Sequence, residues 1–287
     1  MTRPLSTGNW EICRSPAKVR ERVTGWRRNG LSVGLVPTMG ALHRGHLALI
    51  DRLKPLCDRT VVSIFVNPKQ FNDPADLAAY PRQEQRDAEA ALGHGAALIY
   101  APPVDAMYPA GFATSIHVSG LTDELEGAHR PGHFDGVTTV VGKLLLQVLP
   151  DAAVFGEKDY QQLQVIRRMA TDLNLPTDII AAETVREPDG LALSSRNQLL
   201  NAEHRPIAAM LNQVLAETAA KARAGAPLIS LAAEAEARLI DAGFEAVDYV
   251  TFRDAETLAP VTALDGPVRL LATARLSGVR LLDNMAV

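Results

Sequence analysis

Cysteine is almost absent. Cys13 and Cys57 are the only two in 287 residues, which excludes a disulfide framework and a four-thiolate metal site. Long apolar runs are missing too: residues 61–66 and 144–149 are core-sized pieces, far short of the roughly 18 residues of a membrane span. Residues 1–16 contain no uninterrupted apolar stretch of the kind a secretory signal needs. Nor is there an excess of basic charge. The net charge is −4 and the isoelectric point about 6.0, so no broad surface for nucleic acid or anionic membrane is expected. What is present is ordinary for a globular protein, with 47% apolar and 22% charged residues. A chain of this length buries roughly 75% of its unfolded surface, enough for one large domain or two. A reducing cytoplasm is the expected home.

Along the first two-thirds, helical and strand periods alternate. Ser15-Pro16 opens a helix with a cap residue and a proline at its first position; Val19, Val23 and Trp26 share one face, and Asn29-Gly30 stops it. Residues 31–36 read as a strand, and a helix after Gly45 places Leu47, Ile50 and Leu53 at helical spacing. Residues 60–66 read as a strand buried on both faces. Further strands are expected at 97–100, 152–155 and 178–182, with helices at 141–149 and 161–173. Apolar strands alternating with helices predict α/β architecture, a doubly wound parallel sheet over residues 1–184. Residues 185–287 read as a smaller α+β domain, hinged around Glu187-Pro188-Asp189-Gly190. It holds helices after the cap Asn201 and over 230–243, an alternating strand at 247–251, and strands 268–274 and 279–284 paired across Ser277-Gly278.

The most informative segment is Val36-Pro37-Thr38-Met39-Gly40-Ala41-Leu42-His43-Arg44-Gly45-His46. It follows a buried strand and opens a helix, where free amides and positive potential favour anions. Gly40 and Gly45 permit close backbone approach. His43 and His46, three apart, project from one side of the first turn and can donate to phosphate oxygens. A metal pair completed by His129 or His133, and a helix start with incidental histidines, are the alternatives. Three other loops accompany it. Gly156-Glu157-Lys158-Asp159 offers a point charge for phosphate. Ser194-Ser195-Arg196-Asn197 offers hydroxyls and a guanidinium fork, or a plain turn before a helix. Asn67-Pro68-Lys69-Gln70-Phe71 offers amide groups for a hydroxyl or carboxylate. Tyr80-Pro81-Arg82 and Arg130-Pro131-Gly132-His133-Phe134-Asp135-Gly136 add basic and turn-forming loops, whose arginines serve an anion or a surface carboxylate. Taken together, the loops suit a nucleotide and a small anionic partner.

Residues 37–46 resemble the His-x-Gly-His signature of adenylate-forming nucleotidyltransferases, shared with class I aminoacyl-tRNA synthetases. Joined to residues 65–71, 80–82, 155–163, 191–197 and the tail 274–284, they resemble the pantothenate synthetases (AMP-forming pantoate–β-alanine ligases) across essentially the whole chain. The resemblance implies two steps: pantoate attacks the α-phosphorus of ATP, and β-alanine then displaces AMP. It implies that residues 37–46 line the ATP site with Gly156, Glu157, Lys158, Asp159, Val185, Leu193, Ser194, Ser195 and Arg196. His46 would be the principal acid-like residue with His43 assisting, and Lys158, Ser194, Ser195 and Arg196 would hold phosphates. Gln70 and Gln162, with Asn67, Tyr80 and Arg130, would bind the substrates. Magnesium is expected with ATP, and Asp87 matches a position linked with it, although Arg86 stands where some relatives have an acidic residue. The resemblance further implies a homodimer and a C-terminal lid. Three rivals are a nucleotidyltransferase releasing pyrophosphate without AMP, a non-catalytic nucleotide-binding module, and a zinc hydrolase built on His43, His46, His129 and His133.

Overall fold

The computed structural model describes residues 12–287; residues 1–11, part of the segment inspected for a secretory signal, lie outside them. In chain order the elements are α1 (Pro16–Arg28), β1 (Val33–Thr38), α2 (Arg44–Leu53), β2 (Arg59–Ile64), α3 (Pro74–Ala79), α4 (Glu84–Gly93), β3 (Leu98–Tyr100), α5 (Val104–Met107), α6 (Glu126–His129), α7 (His133–Val148), β4 (Ala152–Gly156), α8 (Tyr160–Asp172), β5 (Asp178–Ala182), α9 (His204–Arg223), α10 (Leu228–Asp241), β6 (Ala246–Asp254), β7 (Val268–Leu276) and β8 (Val279–Ala286). They gather into two compact units. The first comprises the chain to Ser119 with Arg130–Phe155 and Val165–Ala182; the second comprises Gly120–His129, Gly156–Gln164 and Glu183–Val287.

The first unit is built on a five-stranded sheet in the order β3-β2-β1-β4-β5. β1 runs parallel to β2 and β4, and β2 parallel to β3. Val33, Leu35, Val36, Val61 and Val62 are fully buried, as expected of strands covered on both faces. The order reverses between β1 and β4, and such a switch point opens a ligand crevice at the carboxyl ends of the strands. Helix α2 sits close because Gly34 has no side chain: a Cβ there would lie 2.9 Å from Leu53 Cδ1. Helix α1 starts as expected, with Ser15 Oγ accepting from Lys18 N. Helix α7 starts at His133 rather than near 141. Gly132 (φ 77°) makes the turn that the sequence predicts, whereas Gly136 has another purpose, since a Cβ there would overlap the Lys69 carbonyl.

The second unit holds the antiparallel sheet β6-β7-β8. Ser277 (φ 51°) and Gly278 (φ 71°) make the two-residue turn between β7 and β8, the left-handed pair that matches strand twist in a tight hairpin. Leu211, Val214 and Leu215 of α9 and Leu231 and Leu239 of α10 pack with Leu270, Ala272 and Ala274 into one core. Asn201 Oδ1 accepts from His204 N at 2.8 Å, as its cap role predicted. The expected hinge is different in kind. Leu193 N donates to Val185 O, Glu187 N to Leu191 O and Gly190 N to Glu187 O, each at 2.9 Å. Residues 187–190 therefore close a small hairpin inside the second unit, and Arg186 ties it to the buried Asp283 of β8 at 2.6 Å. A segment tied down this way is poorly placed to absorb a hinge rotation.

Candidate active site

The turn after β1 is held by side chains at nearly every amide. Thr38 Oγ1 donates to Ser63 O (2.7 Å) and accepts from Gly40 N (3.1 Å). Asp87 of α4, only 3% exposed, accepts from Ala41 N and Leu42 N, one oxygen each, both at 2.8 Å. Gly40 (φ 83°) and Ala41 (φ 51°) are left-handed, and a Cβ on Gly40 would sit 3.0 Å from Asp87 Oδ2. His43 N donates to His46 Nδ1 (3.3 Å), and Gly45 N donates to His43 Nδ1 (3.2 Å). This corrects one expectation: the amides of residues 40–43 and 45 are taken by Thr38, Asp87 and the two histidines. What they organise is the histidine pair. A backbone N–H can only donate, so both Nδ1 atoms are acceptors and both imidazoles carry their proton on Nε2. The rings lie 4.0 Å apart, tilted by 35°. The turn thus presents two neighbouring Nε2–H donors.

After β2, Asn67 caps the short Pro68–Gln70 turn through its Oδ1 and contacts Gln70 directly, Nδ2 to Oε1 at 3.0 Å. Arg130 and His133 clamp the same turn. Arg130 Nη2 (3.2 Å) and His133 Nδ1 (2.8 Å) both donate to Gln70 O, and Arg130 Nη1 donates to His133 Nε2 (3.1 Å). Arg130 thus shapes the loop bearing Gln70. Tyr80 packs edge-on against Phe71. His129 belongs to the second unit and stacks near Tyr249. Among the described residues no group of three or more His, Cys, Asp or Glu is placed to hold a metal. Asp87 accepts one amide proton on each oxygen and so anchors the turn.

In the second unit, β4 runs into a tight turn at Glu157–Asp159, and ties from β7 and β8 hold it. Asn284 Nδ2 donates to Glu157 O (2.8 Å) and Lys158 O (2.9 Å), while Asn284 Oδ1 accepts from Arg269 Nε (2.6 Å). Arg269 also pairs with Glu157 at 2.8 Å and lies 4.2 Å over the Tyr160 ring. Lys158 is largely shielded, its side chain 19% exposed, beside Asp159 at 3.5 Å. Gln162 is partly buried. Its neighbour Gln161 is structural: it accepts from Glu126 N and donates to the carbonyls of Leu121 and Glu124. Val185 and Leu193 face each other across the hairpin. Ser194 Oγ accepts from Arg196 N (3.3 Å) and so starts the short Ser195–Leu199 turn. Asn284 and Arg269 had no role in the sequence reading, although the tail was noted. Their only signal was polar residues inside otherwise apolar strands.

A parallel sheet whose first strand ends in a His-x-Gly-His turn, at the point where strand order reverses, defines a nucleotide-handling α/β protein. The sequence matches the family model of pantoate-beta-alanine ligase over residues 11–286. It is 56% identical to the pantothenate synthetase of Paramagnetospirillum magneticum, over 96% of this chain and 97% of that one. It is 52% identical to the pantothenate synthetase of Cereibacter sphaeroides, over 96% and 99%. Among solved structures, pantothenate synthetase from Thermus thermophilus superposes with a TM-score of 0.88 at 42% identity, covering 96% of this chain and 98% of that one. The pantoate-beta-alanine ligase of Francisella tularensis, complexed with beta-gamma ATP and beta-alanine, gives 0.81 at 33% identity, over 96% and 97%. The chain belongs to the pantoate–β-alanine ligase family.

Proposed function

We propose that this chain condenses pantoate with β-alanine in two steps driven by ATP. A pantoate carboxylate oxygen attacks the α-phosphorus, the bond to the β-phosphate oxygen breaks, and pyrophosphate leaves. The β-alanine nitrogen then attacks the acyl carbon, the bond to AMP breaks, and the amine loses a proton as pantothenate forms. The observation that carries this reading is the pair of Nε2–H donors on His43 and His46 at the carboxyl end of β1. Such donors bind phosphoryl oxygens more strongly as negative charge builds in the transition state. No covalent protein intermediate is needed, so positioning and electrostatics supply the catalysis.

Of the remaining groups, we assign Gln70 and Gln162 to pantoate, and Lys158, Ser194, Ser195 and Arg196 to the phosphates. Asn67 supports Gln70, and Tyr80 belongs to the substrate loop. Magnesium enters on the phosphates and water and neutralises their charge when bound. The chain is further assigned to the cytoplasm as a homodimer, for which a solution mass of twice 30.9 kDa is the check. The test of the activity is AMP release from ATP with pantoate and β-alanine, singly and together. Rapid AMP formation is expected only with both, and pyrophosphate exchange with pantoate alone. Pyrophosphate release without AMP would move the assignment to a nucleotidyltransferase.

A further inference from the structure

The turn after β2 contains a chain of hydrogen bonds whose direction is dictated by the backbone. Asn67 is fully buried, at 0% exposure, and its amide is fixed from two sides. Lys69 N–H, a donor only, faces Oδ1 at 3.3 Å; the Gly136 carbonyl, an acceptor only, faces Nδ2 at 3.0 Å. The amide cannot be turned over without losing both. Two further partners inherit that polarity. The Tyr108 hydroxyl, 2.8 Å from Oδ1, must donate. Gln70, 3.0 Å from Nδ2, must offer its Oε1 to Asn67. Its Nε2 hydrogens then face away from Asn67.

We infer that Tyr108 is a positioning residue that, beside Lys69 N–H and the Gly136 carbonyl, braces Asn67 and through it helps hold the Gln70 amide donor-side outward, so that this subsite accepts a carboxylate or hydroxyl oxygen. The inference rests on the assignment of Gln70 to pantoate and adds to it a reason for the orientation of the amide. Several neighbours keep Tyr108 in place. Its ring packs near Phe65 (6.1 Å) and Phe112 (5.1 Å), and Lys69 Nζ lies 5.2 Å from its centroid. Burial pushes the Tyr108 hydroxyl well above its ordinary pKa, so it stays a donor throughout the working range. The Gln70 backbone is clamped separately by Arg130 and His133, which leaves the side-chain amide as the part that Asn67, braced by Tyr108, holds.

The test is steady-state kinetics of the purified full chain. Tyr108→Phe keeps the ring and removes one hydrogen bond, so KM for pantoate should rise about tenfold while KM for ATP and β-alanine and kcat stay within about threefold. Gln70→Ala should raise the pantoate KM further, and adding Tyr108→Phe to Gln70→Ala should change nothing more. An unchanged pantoate KM in Tyr108→Phe, an equal extra loss in the Gln70→Ala background, or a common shift of all three KM values with kcat would each overturn the inference. Loss of pantoate-dependent AMP release in the unmodified chain would instead overturn the functional assignment itself.

Discussion

The histidine turn of the first unit and the lysine turn of the second solve the same problem by different means. Residues 38–46 are held by contacts that reach no further along the chain than Asp87: His43 and His46 are bonded within the turn itself, and Thr38 to Gly40 and to Ser63 of β2. Residues 157–159 are held from the far end of the chain by Arg269 and Asn284. The first turn follows from its own sequence, the neighbouring strand and one helix. The second exists only once β7 and β8 have folded. The difference teaches that a strand-end loop needs local polar residues or a distant strap, and that only the former leaves a motif.

The sharpest probe of the first turn is His46→Ala, which removes an Nε2–H donor and the acceptor for His43 N together. Pantoate-dependent pyrophosphate exchange should fall about 10³-fold, with the melting temperature nearly unchanged. Exchange at a normal rate would remove His46 from the chemistry.

The second unit's dependence on distant ties is tested by Glu126→Gln. Glu126 is buried and bonded to Tyr249 (2.8 Å), Thr273 (3.0 Å) and Arg280. Burial alone would raise its pKa, but the Arg280 hydrogen bond and charge, helped by both hydroxyls, bring it below the ordinary value. Its folded pKa thus lies below the unfolded one. The stabilisation is fully present above the ordinary glutamate value of 4.5 and is lost as pH falls through the depressed one. Glu126→Gln should cost about 3 kcal/mol at neutral pH. Melting curves against pH should show that gap closing on acidification, and a pH-independent gap would refute the ion-pair account.

Asp87→Asn sharpens the comparison from the other side. One amide anchor is replaced by a donor facing a donor, so kcat should drop about 30-fold. The magnesium concentration for half-maximal rate should stay put if anchoring the turn is the whole of its role; a large rise would assign it to the metal as well. The smallest effect is expected from Asn284→Ala, which uncaps two carbonyls. KM for ATP should rise about tenfold with the pantoate KM unchanged. An effect on pantoate alone would break the separation of the two turns.

These contrasts also explain what the sequence disclosed. Ser15-Pro16, the buried strands and the His43–His46 spacing are local signals, and each stands where periodicity or capping put it. Helix α7 was shortened because Gly132 and Gly136 read as turn residues, whereas Gly136 marks a close approach by the Lys69 carbonyl. Asp87 was legible only through family resemblance, since a carboxylate in a helix looks the same whether it binds metal or amides. The Arg186–Asp283 and Arg269–Glu157 pairs join residues 97 and 112 positions apart, and no spacing rule reaches that far. The contact of Arg186 with Asp283, which holds the hairpin around the expected hinge at residues 187–190, has the same long range.

Asn284 lies 126 positions beyond Lys158, whereas Asp87 lies 46 beyond Ala41. A ribosome adding about 5–20 residues per second covers the longer stretch in roughly 6–25 s and the shorter in roughly 2–9 s. The two turns therefore mature at different moments of synthesis. Once α4 has emerged, the histidine turn can close on Asp87, while the carbonyls of Glu157 and Lys158 still lack the Asn284 amide. A slow codon run between those points lengthens the second wait and leaves the first untouched.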